Sequence, residues 1–200
     1  MKTIFNVKLK YYFLTPTITY TEDLIARCLK GDQRAQMEIY NKYYKAMYNT
    51  ALRIVNDAAE AEDVMQEAFI KAFSKLDTFQ GKSTFGAWLK KITVNLSINA
   101  HNKRSKYLNV SYEDELKHEL DDNEGIDVTG EEANSKVQRI MKVMKSLKES
   151  YRLVLTLHLI EGYDYDEICE ILGLSAANCR TSISRAKESL RKKLIEYGYQ

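Results

Sequence analysis

Between Phe79 and Lys106 the chain carries six basic residues (Lys82, Lys90, Lys91, Lys103, Arg104 and Lys106) and no acid. Phe79, Phe85 and Trp88 are interleaved with them, and a loop over residues 81–84 precedes a helical stretch. Basic side chains attract phosphate, aromatic faces offer stacking surfaces to unpaired bases, and an Asn amide can pair with a base edge. At helical spacing Thr84, Trp88, Lys91, Asn95 and Asn99 share one face. Phe79, Lys82, Ser83, Thr84, Trp88, Lys91 and Asn95 are therefore candidates to touch a nucleic acid. Phe85 heads an apolar stripe with Leu89, Ile92 and Leu96, so a place in the core is open to it as well.

A second pattern lies at residues 165–195. Tyr165 to Leu172 reads as a short helix with Ile168, Ile171 and Leu172 inward. Gly173 follows where a left-handed cap is wanted, Leu174 can plug the core, and Ser175 is a natural N-cap for the next helix. That helix should bury Cys179, Ile183, Ala186, Leu190 and Leu194. Its outer face carries Asn178, Arg180, Thr181, Ser182, Arg185 and Lys187. Helix, glycine turn and a helix with a polar, basic outer face form the unit that enters a DNA major groove. Early residues of the second helix reach base edges, and later cations neutralise phosphates. A plain helical hairpin with a solvated face is the simpler alternative.

A third surface is carried by DVMQEAFIKAF, Asp63 to Phe73. With its apolar stripe inward, Asp63, Gln66, Glu67 and Ile70 lie together on the other side. Carboxylates, an amide and an outward Ile suit a protein partner or a solvated face.

These residues need helices to position them. In 200 residues, 44% hydrophobic and 29% charged, there are 8 Gly and 1 Pro. That supply of turn residues is too small for a sandwich or barrel, so the fold class is all-α. Tyr40, Tyr44, Met47, Ala51 and Val55 form one helical stripe, and Val64, Met65, Ala68, Phe69, Ala72, Phe73 and Leu76 a second. A short helix over residues 22–30 ends at Gly31, giving a bundle of about four helices over residues 20–104. Helical stripes resume at Val137, Ile140, Met144 and Leu147, then at Tyr151, Val154, Leu155 and His158, within a second domain at 135–200.

The net charge of +2 conceals a segregation. Residues 1–112 hold 17 Lys/Arg against 10 Asp/Glu, residues 113–134 one against ten, and residues 135–200 twelve against eight. Two basic blocks flank an acidic stretch that lacks the apolar content to fold, so residues 105–134 read as a flexible linker. Residues 1–19 form an extension of no assigned role.

Cys28, Cys169 and Cys179 make an odd count without a CxxC pair, which fits buried thiols in a reducing cytoplasm. No run is long and apolar enough to span a membrane. There is no phosphate-binding GxxxxGK[ST] loop and no HExxH, and His101, His118 and His158 lack ligand spacing. Neither a catalytic residue nor a metal or cofactor is expected.

The motifs DxxQExF, FxGxSTFxxWLxxIxxNxxxN and GYxYxEIxxILGxS…RxSxSRAKxxLRxxL, in this order and with an acidic linker before the last, resemble an extracytoplasmic-function sigma factor of bacterial RNA polymerase. The resemblance covers about residues 20–197. It implies that Asp63, Gln66, Glu67 and Ile70 bind the polymerase core. It implies that Phe79, Lys82, Ser83, Thr84, Trp88, Lys91 and Asn95 read and open the minus-ten promoter element, and that the linker threads toward the RNA exit channel as a polyanion mimic. Ser175, Asn178, Arg180, Thr181, Ser182, Arg185 and Lys187 would face the minus-35 element. Many relatives have Thr-Val where this chain has Asn178-Cys179, and an Arg at Ser182, so the minus-35 sequence does not carry over. The implied partners are core polymerase and promoter DNA, with an anti-sigma factor left open. A dimeric helix-turn-helix repressor or activator is the rival, but it leaves the 79–106 block and the DxxQE face idle.

Overall fold

Three of the four helices in the N-terminal half begin where a side chain satisfies backbone groups that the helix cannot. The computed structural model describes residues 20–110 and 131–198. Helix α1 (20–29) closes at Gly31, whose φ of +82° suits glycine. Asp32 caps α2 (Gln33–Val55), its carboxylate accepting from the Arg34 and Ala35 amides at 2.9 and 3.2 Å. The left-handed Asn56 ends α2, and Asp57 at once caps α3 (Ala58–Ser74). A single 3-10 turn, Leu76–Thr78, leads through the Gly81 loop to Thr84. The Thr84 hydroxyl accepts from the Ala87 amide at 3.3 Å at the start of α4 (Phe85–Val110).

The C-terminal half comprises α5 (Glu131–Lys145), α6 (Glu149–Leu155), α7 (Tyr165–Leu172) and α8 (Ala176–Glu196). No strand occurs among the described residues. Asp164 and Glu167 form a reciprocal capping box at the start of α7. Gly173 ends it at φ +63°, and Ser175 caps α8 by accepting from the Asn178 amide at 3.3 Å. The expected helix-turn-helix is present with its glycine turn. Cys179, Ile183, Ala186 and Leu190 are buried, and Leu194 is half-buried.

Three details differ from the sequence expectation. Val137 and Ile140, assigned to an inward stripe, are 57% and 43% exposed, and Val143, Met144 and Leu147 are the buried residues of that region. After Leu155 the helix does not continue in α register. Thr156–Ile160 is a π-turn, in which one added residue buries Thr156 and Leu157 and turns Leu159 outward. The ends of the stretch read as a flexible linker are helical, 105–110 as the last residues of α4 and 131–134 as the first of α5; its 111–130 part and the extension at residues 1–19 lie outside the described residues.

Helix α4 organises the molecule because it has three working sides. Phe85, Leu89 and Leu96 enter the cores shared with α1, α2 and α3. Val94 and Ile98, with Ile54 of α2, join a different core built by Val143, Met144, Leu147, Leu155, Leu157, Tyr163 and α7–α8 residues. Trp88, Lys91, Asn95 and Asn99 remain on the third side. The two halves are thus packed against each other, a relation the separate periodicities of the sequence did not foretell.

Candidate nucleic-acid and polymerase interface

The open side of α4 presents Thr84, Lys91, Asn95 and Asn99, all exposed, with Trp88 half-buried beside them. Among the described residues Lys91 carries no ion pair, so its charge is free for phosphate. Lys82 and Ser83 are exposed in the preceding loop. Gly81 lets that loop turn at φ +67°. Phe79 is half-buried, its ring 5.8 Å from Phe85 edge-on and 5.3 Å from Trp88. Phe85 is buried and 5.5 Å from Tyr43. The aromatic group is therefore a platform anchored in the core, with the partly exposed Phe79 and Trp88 at its rim. Tyr43 approaches so closely that a Cβ on Gly86 would lie 2.9 Å from its Cε1.

The basic block is less free than its composition suggests. Arg104 lies 3.8 Å from both Asp57 and Glu60 at the start of α3. Lys90 donates to the Glu161 carbonyl at 2.7 Å, lies 3.7 Å from its carboxylate, and sits 5.7 Å over the Tyr163 ring. Burial, with Glu161 adding to it, pushes the Tyr163 phenol up to about 12, so that ring stays neutral.

On α8, Ser175, Asn178, Arg180, Thr181, Arg185 and Lys187 are exposed, and Ser182 is half-buried; Asn178, Thr181 and Arg185 share one side, while Arg180 and Lys187 flank the buried stripe. Their hydroxyls are partly committed to the helix. Ser175 caps it, and Thr181 donates to the Ala177 carbonyl at 2.9 Å. Lys187 is tethered, 3.1 Å from His158 Nε2 and donating to the Tyr165 hydroxyl at 3.3 Å. His158 Nδ1 lies 3.1 Å from the Tyr163 carbonyl, which can only accept, so Nδ1 holds the proton and Nε2 accepts from Lys187. Arg180 and Arg185 carry no ion pair among the described residues.

On α3, Asp63, Gln66, Glu67 and Ile70 are exposed together, and Ile70 is 70% exposed. An outward Ile flanked by carboxylates fits a partner surface that is basic and partly apolar. Gln66 donates to Glu62 at 3.2 Å, which holds its amide on that face.

The residues that sequence reasoning missed lie between the halves. Arg53 donates through Nε and Nη2 to Glu161 Oε1 at 3.0 and 2.6 Å, and the Thr50 hydroxyl donates to Oε2 at 3.3 Å. His101 meets Glu149 at 3.1 Å, and this contact holds the Glu149 carboxyl below its ordinary range. Nothing in the local sequence signals these pairs, since Glu161 lies 108 residues from Arg53 and 71 from Lys90.

No group of three or more His, Cys, Asp or Glu is placed to hold a metal ion among the described residues. The described helices include none long and apolar enough to cross a membrane.

The sigma-70 region 2 family pattern matches residues 39–107, which contain α3 and the open side of α4. The sigma-70 region 4 pattern matches residues 137–190, which contain the helix-turn-helix. The RNA polymerase sigma-H factor of Pseudomonas aeruginosa is 34% identical over 182 residues, covering 86% of this chain and 93% of that protein. The ECF RNA polymerase sigma factor SigW of Bacillus subtilis is 32% identical over 188 residues, covering 85% and 94%. The chain belongs to the ECF family of RNA polymerase sigma factors. In solved structures its fold is similar to the sigma factor RpoE of Bartonella quintana in complex with the anti-sigma factor NepR (TM-score 0.53, 23% identity, 79% of this chain and 95% of that one). It is also similar to CnrH in complex with the cytosolic domain of CnrY (TM-score 0.50, 23% identity, 88% and 96%). As a sigma factor the chain serves transcription initiation, and the rival reading as a dimeric repressor is set aside.

Proposed function

We propose that this sigma factor divides promoter work between the two exposed polar faces. The observation that carries the proposal is α4. One side of it is open and acid-free, with Lys91 and Asn95 exposed beside a core-anchored aromatic platform. On this reading Phe79, Lys82, Ser83, Thr84, Trp88, Lys91 and Asn95 hold the opened minus-ten strand. Unstacking a base costs a few kcal/mol, which stacking on an aromatic rim and hydrogen bonding to its edge can offset. Ser175, Asn178, Arg180, Thr181, Ser182, Arg185 and Lys187 face the minus-35 major groove, and Asp63, Gln66, Glu67 and Ile70 dock on core polymerase.

The domain limits that fit this division are 20–104 and 135–200, with a connector at 105–134 and an extension at 1–19. The factor carries no chemistry of its own, and RNA synthesis belongs to the polymerase. The cytoplasm is its working compartment, and an anti-sigma factor is a further partner, as in the complexes of its structural neighbours. The test is run-off transcription by purified core polymerase with and without the chain, on a promoter carrying two dissimilar elements. Promoter-specific transcripts are expected only with the chain. Equal transcription without it would reject the reading.

A further inference from the structure

We infer that Glu161 is a latch that closes the C-terminal half over one side of α4 and withholds Lys90 from DNA. Lys90, Val94, Ile98 and His101 recur at spacings of four, four and three, so they form one stripe of α4. Each meets the C-terminal half. Lys90 is held by Glu161, Val94 and Ile98 join its core, and His101 contacts Glu149. Glu161 has a side chain only 3% exposed and is held by Arg53, Thr50 and Lys90, all from the other half. A carboxylate so deeply desolvated is stable only while those partners stay in place. The ionic cluster therefore forms as a unit when the halves close and is lost as a unit when they part.

Distance shows that they must part. Promoter elements named minus-ten and minus-35 lie about 25 base pairs apart, or about 85 Å at 3.4 Å per base pair. A compact 200-residue chain has a radius of gyration of only about 16 Å. With α4 and α8 fixed in the closed arrangement, the two faces cannot reach both elements at once. Opening returns Lys90 to the acid-free block beside Lys91, as one more cation for the DNA backbone. Phosphate and Glu161 then compete for the same ammonium group, so DNA itself favours the open form.

The second readout below rests on the proposed minus-ten role of α4, and the first does not. Full-length wild type and Glu161→Gln are compared by small-angle X-ray scattering, with far-UV circular dichroism as a check on folding. Glu161→Gln is expected to raise the radius of gyration at unchanged helicity. It is also expected to bind a single-stranded minus-ten oligonucleotide tighter by about threefold or more, since the competent form no longer has to be drawn from a closed majority. Should Glu161→Gln lose helicity, Arg53→Gln replaces it, because it removes the two shortest bonds to the Glu161 carboxylate and leaves Lys90 in place to meet the oligonucleotide. An unchanged radius of gyration in a folded variant overturns the latch. Expansion of Glu161→Gln without tighter oligonucleotide binding overturns the withholding of Lys90.

Discussion

Asn95 stands on the open side of α4 with its amide directed away from both cores. Asn95→Ala removes a group able to make paired hydrogen bonds to a base, worth ~1–3 kcal/mol of discrimination. We expect altered preference at one promoter position, read by transcription from a panel of minus-ten variants, whereas a uniform loss would point to a structural role. On α3, Glu67→Lys reverses a charge on an exposed position without touching Val64, Ala68 or Phe69 beneath it. Core-polymerase affinity should fall while the thermal melt stays put, and wild-type affinity would remove that face from the interface. The Cys179 thiol is quiet. Burial, aided by a hydrogen bond with Cys169, pushes the Cys179 thiol up to about 11. Native Cys179 should therefore resist alkylation at neutral pH, and labelling as fast as in the denatured chain would contradict its place in the core.

Helices are where the sequence was most legible. The 4-3-4-4 spacing of Cys179, Ile183, Ala186, Leu190 and Leu194 fixes which side of α8 is buried, and Gly173 and Ser175 mark its start by their chemistry alone. Gly173 is occupied by glycine for conformation rather than space, since nothing lies within 4 Å of a Cβ built there. Gly173→Ala should thus cost the roughly 1–2 kcal/mol of a left-handed L-residue and no more, measured by urea unfolding. A larger loss would mean that the turn itself rearranges. Two features escaped the periodic reading for physical reasons. The π-turn at Thr156–Ile160 adds one residue to a helix, and no composition signal marks such an insertion. Val137 and Ile140 hold the right phase, but phase tells only which residues share a side, not whether anything covers it.

For the molecule as a whole, the sequence showed two helical blocks but not their union, because contacts such as Arg53–Glu161 join residues too far apart for any local pattern to link. The division of promoter labour can be tested at this scale. Arg180→Ala with Arg185→Ala strips unpaired cations from the early part of α8 and leaves the aromatic platform of α4 intact. Run-off yield should drop on duplex template and largely recover on a template pre-opened around the minus-ten element, both at one ionic strength because phosphate contacts are salt-dependent. Equal loss on the two templates would show that α8 does more than recruit DNA.

The shared core around Val94 and Ile98 also bears on how the chain is made. Synthesis delivers the N-terminal half first, and it has cores of its own around Leu24, Phe69 and Leu89 and around Ala51, Val64 and Leu96. Until Val143, Met144 and Leu157 emerge, Ile54, Val94 and Ile98 have no lining. The unfinished product is folded yet sticky on one flank of α4. A fragment ending at residue 110 should bind a hydrophobic dye and self-associate where the finished protein does neither. Chaperone demand during translation would then fall on the interval before the second half arrives.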